Sequence, residues 1–169
     1  MPLPALKVHS SAILTAALLL APVSAPGQTR EPPLLFMSRE NPAMKQAFER
    51  ARASLDPFLE LAVSGQPELT NFAVKVGISE DGRTEYFWID PFTYTDDQFT
   101  GKIVNTPQMV KNLRLGQAYE FTRAQIVDWM YIDRARKKMI GNFTLCALMT
   151  QEPPAKAAAT LRKYNLDCE

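Results

Sequence analysis

The plausible catalytic set in this sequence is a group of carboxylates: Glu85, Asp90, Asp96, Asp97, Glu120, Asp128 and Asp133. Two facing carboxylates can hydrolyse a glycosidic bond, one as acid and the other as base or nucleophile. No spacing joins a particular pair here, and Asp96-Asp97 reads as turn chemistry. The one histidine, His9, lies in an N-terminal apolar segment. Removal of that segment on export leaves no Ser-His-Asp or Cys-His catalysis. It also takes away the commonest zinc ligand, and two cysteines cannot build a structural zinc site alone. The 7 glycines are scattered, so there is no glycine-rich phosphate loop. No catalytic residue is assigned, and no cofactor or metal is expected.

Three groups are candidates for binding rather than catalysis. Lys75, Tyr86 and Trp88 combine a cation with two large aromatics, a pairing that recurs at recognition surfaces and also in ordinary cross-strand contacts. Asp128-Trp129, with Tyr131, either meets a ligand or packs: Trp129 in the core, Asp128 accepting backbone N–H bonds at the strand entry. Arg134, Arg136, Lys137 and Lys138 form a basic hairpin tip, suited to an acidic partner or simply to a solvated turn that discourages edge pairing. Cys146 and Cys168 are the two cysteines. In an oxidising compartment they can close a disulfide across the last helix. The other reading is a buried Cys146 and a free Cys168.

These residues need elements to hold them. Asn41-Pro42 starts a helix, with Asn41 as cap and Pro42 at the first helical position. Met44, Ala47, Phe48, Ala51, Leu55, Phe58, Leu59 and Ala62 give it one apolar face, and Pro57 predicts a kink or break near Leu55-Asp56. Phe72–Ile78 and Glu85–Ile89 read as strands joined by an Asp81-Gly82 turn. Pairing Glu80 with Arg83 sets Ile78 against Glu85, Val76 against Phe87 and Val74 against Ile89 on the core face. Gly77 then meets Tyr86, and Lys75 meets Trp88, on the other.

Pro91 bends the chain before a second hairpin, Phe92–Tyr94 with Phe99–Val104. Gln108–Leu113 reads as a short helical turn, Gln117–Phe121 as a strand, and Thr122 as the cap of a single turn. Asp128–Asp133 and Gly141–Leu148 read as the two strands of a last hairpin, joined by the charged connector Arg134–Ile140. Pro153-Pro154 opens a final helix through Tyr164. The fold class is α+β: a meandering, mostly antiparallel sheet of about six strands, a long N-terminal helix packed on it, and a short C-terminal helix.

The N-terminus has its own signature. Ala12–Ala21 is a largely apolar run of ten residues, too short to span a bilayer, which needs about 20. Small residues follow, so residues 1–27 read as a secretory signal peptide cut after Gly27. Residues 28–39 form a lead-in containing Pro32-Pro33, residues 40–150 the α+β domain, and residues 151–169 a helical tail. The expected location is periplasmic or secreted. Lys7 is the one charge removed, which leaves 18 basic residues against 18 acidic. That neutrality gives no general pull toward nucleic acid or anionic membrane.

The helix before Phe72-Ala73-Val74-Lys75, then Tyr86-Phe87-Trp88, Phe99-Thr100-Gly101, Val110–Gly116, Asp128–Tyr131 and Gly141–Leu148, resemble the YegJ-like bacterial family, domain of unknown function 2314. The resemblance spans residues 40–150 and keeps the motif order; it implies the domain and no mechanism. The reading that follows is a small secreted, non-enzymatic binding or interaction domain. Its partner would be an envelope protein or a small ligand, with no nucleic acid and no stable membrane insertion after cleavage. The rivals are a carboxylate-dependent hydrolase of an envelope polymer and a protein that neutralises a toxin or inhibitor. Export has a direct check. The intact mass of protein from a periplasmic fraction should place the N-terminus at or next to Gln28, and a full-length cytoplasmic product contradicts it.

Overall fold

The computed structural model describes residues 37–168. The expected signal peptide and residues 28–36 of the lead-in lie outside the described residues. α1 (Pro42–Ala53) begins as its sequence dictates: Asn41 Oδ1 accepts the Ala43 N–H at 2.9 Å and Pro42 takes the first position. The chain breaks at Ser54, and α2 (Leu55–Ala62) restarts so that Pro57, which has no N–H to donate, falls in a first turn.

β1 (Leu69–Glu80) and β2 (Arg83–Thr95) turn on Asp81 and Gly82, whose φ values of 50° and 74° suit a tight hairpin. The register counted from that turn holds throughout: Glu80 pairs with Arg83, Ile78 with Glu85, Val76 with Phe87, Val74 with Ile89, Gly77 with Tyr86 and Lys75 with Trp88. β3 (Gln98–Ile103), β4 (Ala118–Thr122), β5 (Ile126–Asp133) and β6 (Lys138–Gly141) complete a six-stranded sheet, ordered β4-β3-β2-β1-β5-β6. Every neighbouring pair is antiparallel. α3 (Phe143–Met149) and α4 (Pro154–Tyr164) follow. The fold is α+β.

Three local expectations are corrected. Gly141–Leu148 is not a strand: β6 stops at Gly141 and α3 begins at Phe143, so Cys146 is helical. Gly141 and Asn142 both take positive φ, 85° and 54°, which turns the chain out of the sheet. Pro91 does not divide β2 in two. The strand runs on to Thr95, with a register shift against β3 between Ile89 and Phe92. Only glycine fits opposite that shift, since a Cβ on Gly101 would lie 2.3 Å from Ile89 Cγ2. Gln108–Leu113 forms no helical turn. Its amides are taken from outside: Glu85, buried, accepts the N–H groups of Gln108, Met109 and Val110 at 2.8–3.0 Å.

The main core lies on one sheet face. Val74, Val76, Phe87, Ile89, Phe99, Ile103, Ile126 and Trp129 pack there under Leu55, Phe58 and Leu59 of α2. Met44, Ala47 and Phe48 of α1 pack separately with Val127 and with Ala147 of α3. After α4 the chain returns along edge strand β6. Leu166 bridges Met139 in parallel, and the Asn165 side chain donates to the Lys137 carbonyl. That covers part of an open edge.

Cys168 then joins Cys146 in a disulfide, with Cα atoms 5.5 Å apart and a sequence separation of 22. Closing such a loop restricts the unfolded chain by roughly 3 kcal/mol. Unfolded, unreduced protein should therefore show no reactive thiol, and Cys168→Ser should lower stability by about 2–4 kcal/mol in a denaturant melt. Two titratable thiols per chain contradict the pairing.

Candidate functional site

Lys75 of β1 and Asp128 of β5 face each other across the strand pair. Asp128 is fully buried, 0% exposed, and its carboxylate accepts four hydrogen bonds. Oδ1 takes the N–H of Trp129 at 2.9 Å and of Phe143 at 3.1 Å. Oδ2 takes the Thr144 N–H at 2.8 Å and the Thr144 hydroxyl at 2.6 Å. A strand residue thus caps the first turn of α3, where free amides and the helix dipole favour a negative charge. Thr144 Oγ1 in turn accepts from Lys75 Nζ at 2.5 Å, and that ammonium sits 4.4 Å from the centre of the Trp88 ring.

Burial pushes the Asp128 carboxyl above its usual range, against Lys75 and the Thr144 and Trp129 donors, which pull it down. Burial likewise pushes the Lys75 ammonium below its usual range, against the pull of Asp128. An amine, a hydroxyl and a carboxylate in line could in principle activate a nucleophile. Here the hydroxyl gives its proton to Asp128 and accepts from Lys75, and Thr144 is only 3% exposed. The three groups satisfy one another and hold β1, β5 and α3 together.

The face that carries Lys75, Tyr86 and Trp88 is half-buried rather than open. Tyr86 packs on Phe48 of α1, ring centroids 5.8 Å apart, and burial raises its hydroxyl pKa. Trp129 is buried, its ring 4.8 Å from that of Phe58, and its indole N–H donates to the Ala51 carbonyl at 2.9 Å. Tyr131, half-buried, stacks on Phe72 at 5.3 Å and lies 6.2 Å from Trp129.

The hairpin tip divides. Arg134 and Lys137 are exposed, the second at φ 55° in the turn. Arg136 lies 3.6 Å from Asp133, and Lys138 pairs with Asp167 of the returning tail at 2.5 Å. Arg136 and Lys138 also line a cleft of about 500 Å3 with Arg50 of α1, Phe143 and Cys146 of α3, and Asp167 and Cys168. Trp129, Met139 and Ile140 contribute its apolar lining. The Arg50 guanidinium lies 4.9 Å from the Phe143 ring centre, and Phe143 meets Trp129 edge-on at 5.3 Å. Trp129, Arg136, Lys138, Cys146 and Cys168, singled out separately in the sequence, thus share one cleft. Lys75, Trp88 and Asp128 belong to the closed cluster around Thr144. Thr144, Arg50, Phe143 and Asp167 were not foreseen. The Gly141-Asn142 pair was the available signal, because both residue types accept positive φ and break a strand.

The bridging hydroxyl can be isolated. Thr144→Val removes it at nearly constant volume and leaves Lys75 and Asp128 each short of a partner, at a cost of about 1–3 kcal/mol. Thr144→Ser should retain most of that. Urea melts of the pair check it, and equal stabilities contradict a role for the hydroxyl.

Among the described residues no helix is long and apolar enough to cross a membrane. Residues 41–167 match the profile of a family described as "Uncharacterized protein conserved in bacteria", domain of unknown function 2314. That match takes in α4 and the returning tail, beyond the span over which the motifs were read. The "Uncharacterized protein YegJ" of Escherichia coli (strain K12) is 36% identical over 115 residues, which cover 68% of this chain and 72% of that protein. No solved structure matches. With the profile covering most of its length and the YegJ protein aligned over two thirds of it, the chain belongs to the YegJ-like, DUF2314 family of bacterial proteins.

Proposed function

We propose that this chain is a small non-enzymatic binding domain, exported to the bacterial envelope, and that it takes an anionic ligand with an apolar body in the cleft beside the disulfide. One observation carries the reading. Arg50, Arg136 and Lys138 line an apolar cleft of about 500 Å3, with Asp167 as the one acid among its described lining residues. That volume suits a small molecule or a peptide end. Charged groups around an apolar lining fix the orientation of a ligand that the apolar contact holds.

The hydrolase reading needs two accessible carboxylates at fixed separation. Asp128 is spent on α3, Glu85 on the 108–110 amides, and Asp133 on the Arg136 N–H. Among the described lining residues the basic cleft holds one acid, Asp167, and a cleft at the end of α2 holds one, Asp90, so neither brings two carboxylates together. What supports export is the apolar run before residue 28 together with a disulfide, a bond that persists in oxidising compartments.

Naphthalene-1-carboxylate is a suitable probe. In an NMR titration it should shift the amides of Ile140, Gly141 and Cys146, and the double variant Arg136→Glu, Lys138→Glu should weaken it at least tenfold. Shifts confined to other parts of the molecule, or equal affinity in the double variant, contradict the proposal.

A further inference from the structure

A second cleft, of about 590 Å3, lies between the end of α2 and strands β1 and β2. The end of α2, with Val63 69% exposed, forms one wall. Phe72 of β1 and Phe92 and Tyr94 of β2 line it, and all three rings are half-buried. The rings are already fixed in place: Phe72 and Phe92 both pack on Phe58, at 5.8 and 6.2 Å, and Tyr94 stacks on Phe99 at 5.2 Å. Asp90 is the one charged side chain among the described residues lining the cleft. It sits in the stretch where β2 shifts register against β3.

Asp90 differs from the other half-buried or buried acids discussed above. No hydrogen bond or ion pair reaches its carboxylate among the described residues, whereas Asp128, Asp133 and Glu85 are all engaged. Burial raises its pKa, with no opposing cation nearby. A half-buried carboxylate with no cation against it thus lines the same cleft as three aromatic rings. A cation suits such a cleft, because aromatic faces and a carboxylate attract positive charge together.

We infer that this cleft is a second binding site, separate from the basic one, for a small organic ammonium ion. The ammonium group faces Asp90 while its alkyl substituents lie against Phe72, Phe92 and Tyr94. The volume lies within the range of small-molecule sites, which favours a free ligand over a macromolecular one. The two clefts then differ in sign. Arg50, Arg136 and Lys138 serve one and Asp90 the other, so one chain can hold ligands of opposite charge at once.

The test uses choline and its uncharged carbon isostere, 3,3-dimethylbutan-1-ol, in NMR titrations of the protein. Choline should shift the amides of Phe72, Thr93 and Tyr94, and the isostere should bind at least tenfold more weakly. Asp90→Asn should lower choline binding to the level of the isostere and leave naphthalene-1-carboxylate binding unchanged. Val63→Lys, at an exposed position that should not affect folding, sets a like charge at the cleft mouth and should weaken choline at least fivefold. Equal binding of choline and the isostere, or undiminished choline binding in both variants, overturns the inference. Co-sedimentation with phosphatidylcholine vesicles without any response to free choline also overturns it, and assigns the cleft to a lipid headgroup.

Discussion

A carboxylate taken out of water must find its hydrogen bonds within the protein or lose its charge. Asp128 is the most demanding group of this kind in the described chain: a strand residue with no exposure, pointing away from the core face that Trp129 occupies. Across the strand it meets Lys75, but an ammonium alone leaves most of the carboxylate's acceptor sites empty. Its strand neighbour Trp129 gives one N–H, and the other three donors come from the N-terminus of a helix. For Phe143 and Thr144 to reach Asp128, the chain must leave β6 at once and begin α3 over the sheet. Gly141 makes that exit, its positive φ and missing side chain fitting directly against Trp129, where a Cβ would lie 2.3 Å from the carbonyl oxygen.

Much of the rest follows from where α3 then lies. Its Ala147 gives α1 a surface to pack on, together with Val127. Its Phe143 stands edge-on to Trp129 and beneath the Arg50 guanidinium, forming one wall of the basic cleft. Its Cys146 gives the returning tail an anchor, and the disulfide, the Leu166 bridge and the Lys138–Asp167 pair hold that tail along β6. An exposed ion pair such as the last contributes little alone, roughly 0–1 kcal/mol, so the covalent bond fixes the tail and the charge pair orients it. The cleft is therefore a consequence of one buried charge and one cross-link, rather than of a feature any single segment carries.

Legibility in the sequence divided along the same line. The β1–β2 register could be counted because Asp81-Gly82 leaves one turn geometry and the period of two does the rest. The α1 cap and the break before Pro57 were readable because both are local. The helix at Phe143–Met149 was not. Phe-Thr-Leu-Cys-Ala-Leu has enough aromatic and branched character to pass for a strand, and the residue that makes it a helix lies 15 positions upstream. Tertiary hydrogen bonding overrode local propensity there. The same reason hid the 108–110 loop, whose amides answer to Glu85 of β2. Lys75, Trp88, Asp128 and Trp129 were recognisable as unusual residues. That they divide between a closed cluster and a cleft depends on α3, which sequence periodicity does not place.

The account turns on Asp128 holding the start of α3, and native-state hydrogen exchange on Asp128→Asn tests it most directly. One charged hydrogen-bond acceptor lost from a buried site weakens local structure by about 1.5–3 kcal/mol, or roughly tenfold to more than a hundredfold in exchange rate. The amides of Phe143 and Thr144 should accelerate by that factor while those of Val76 and Phe87, in the β1–β2 pair, keep their protection. Wild-type protection at Phe143 and Thr144 in the variant would contradict the account.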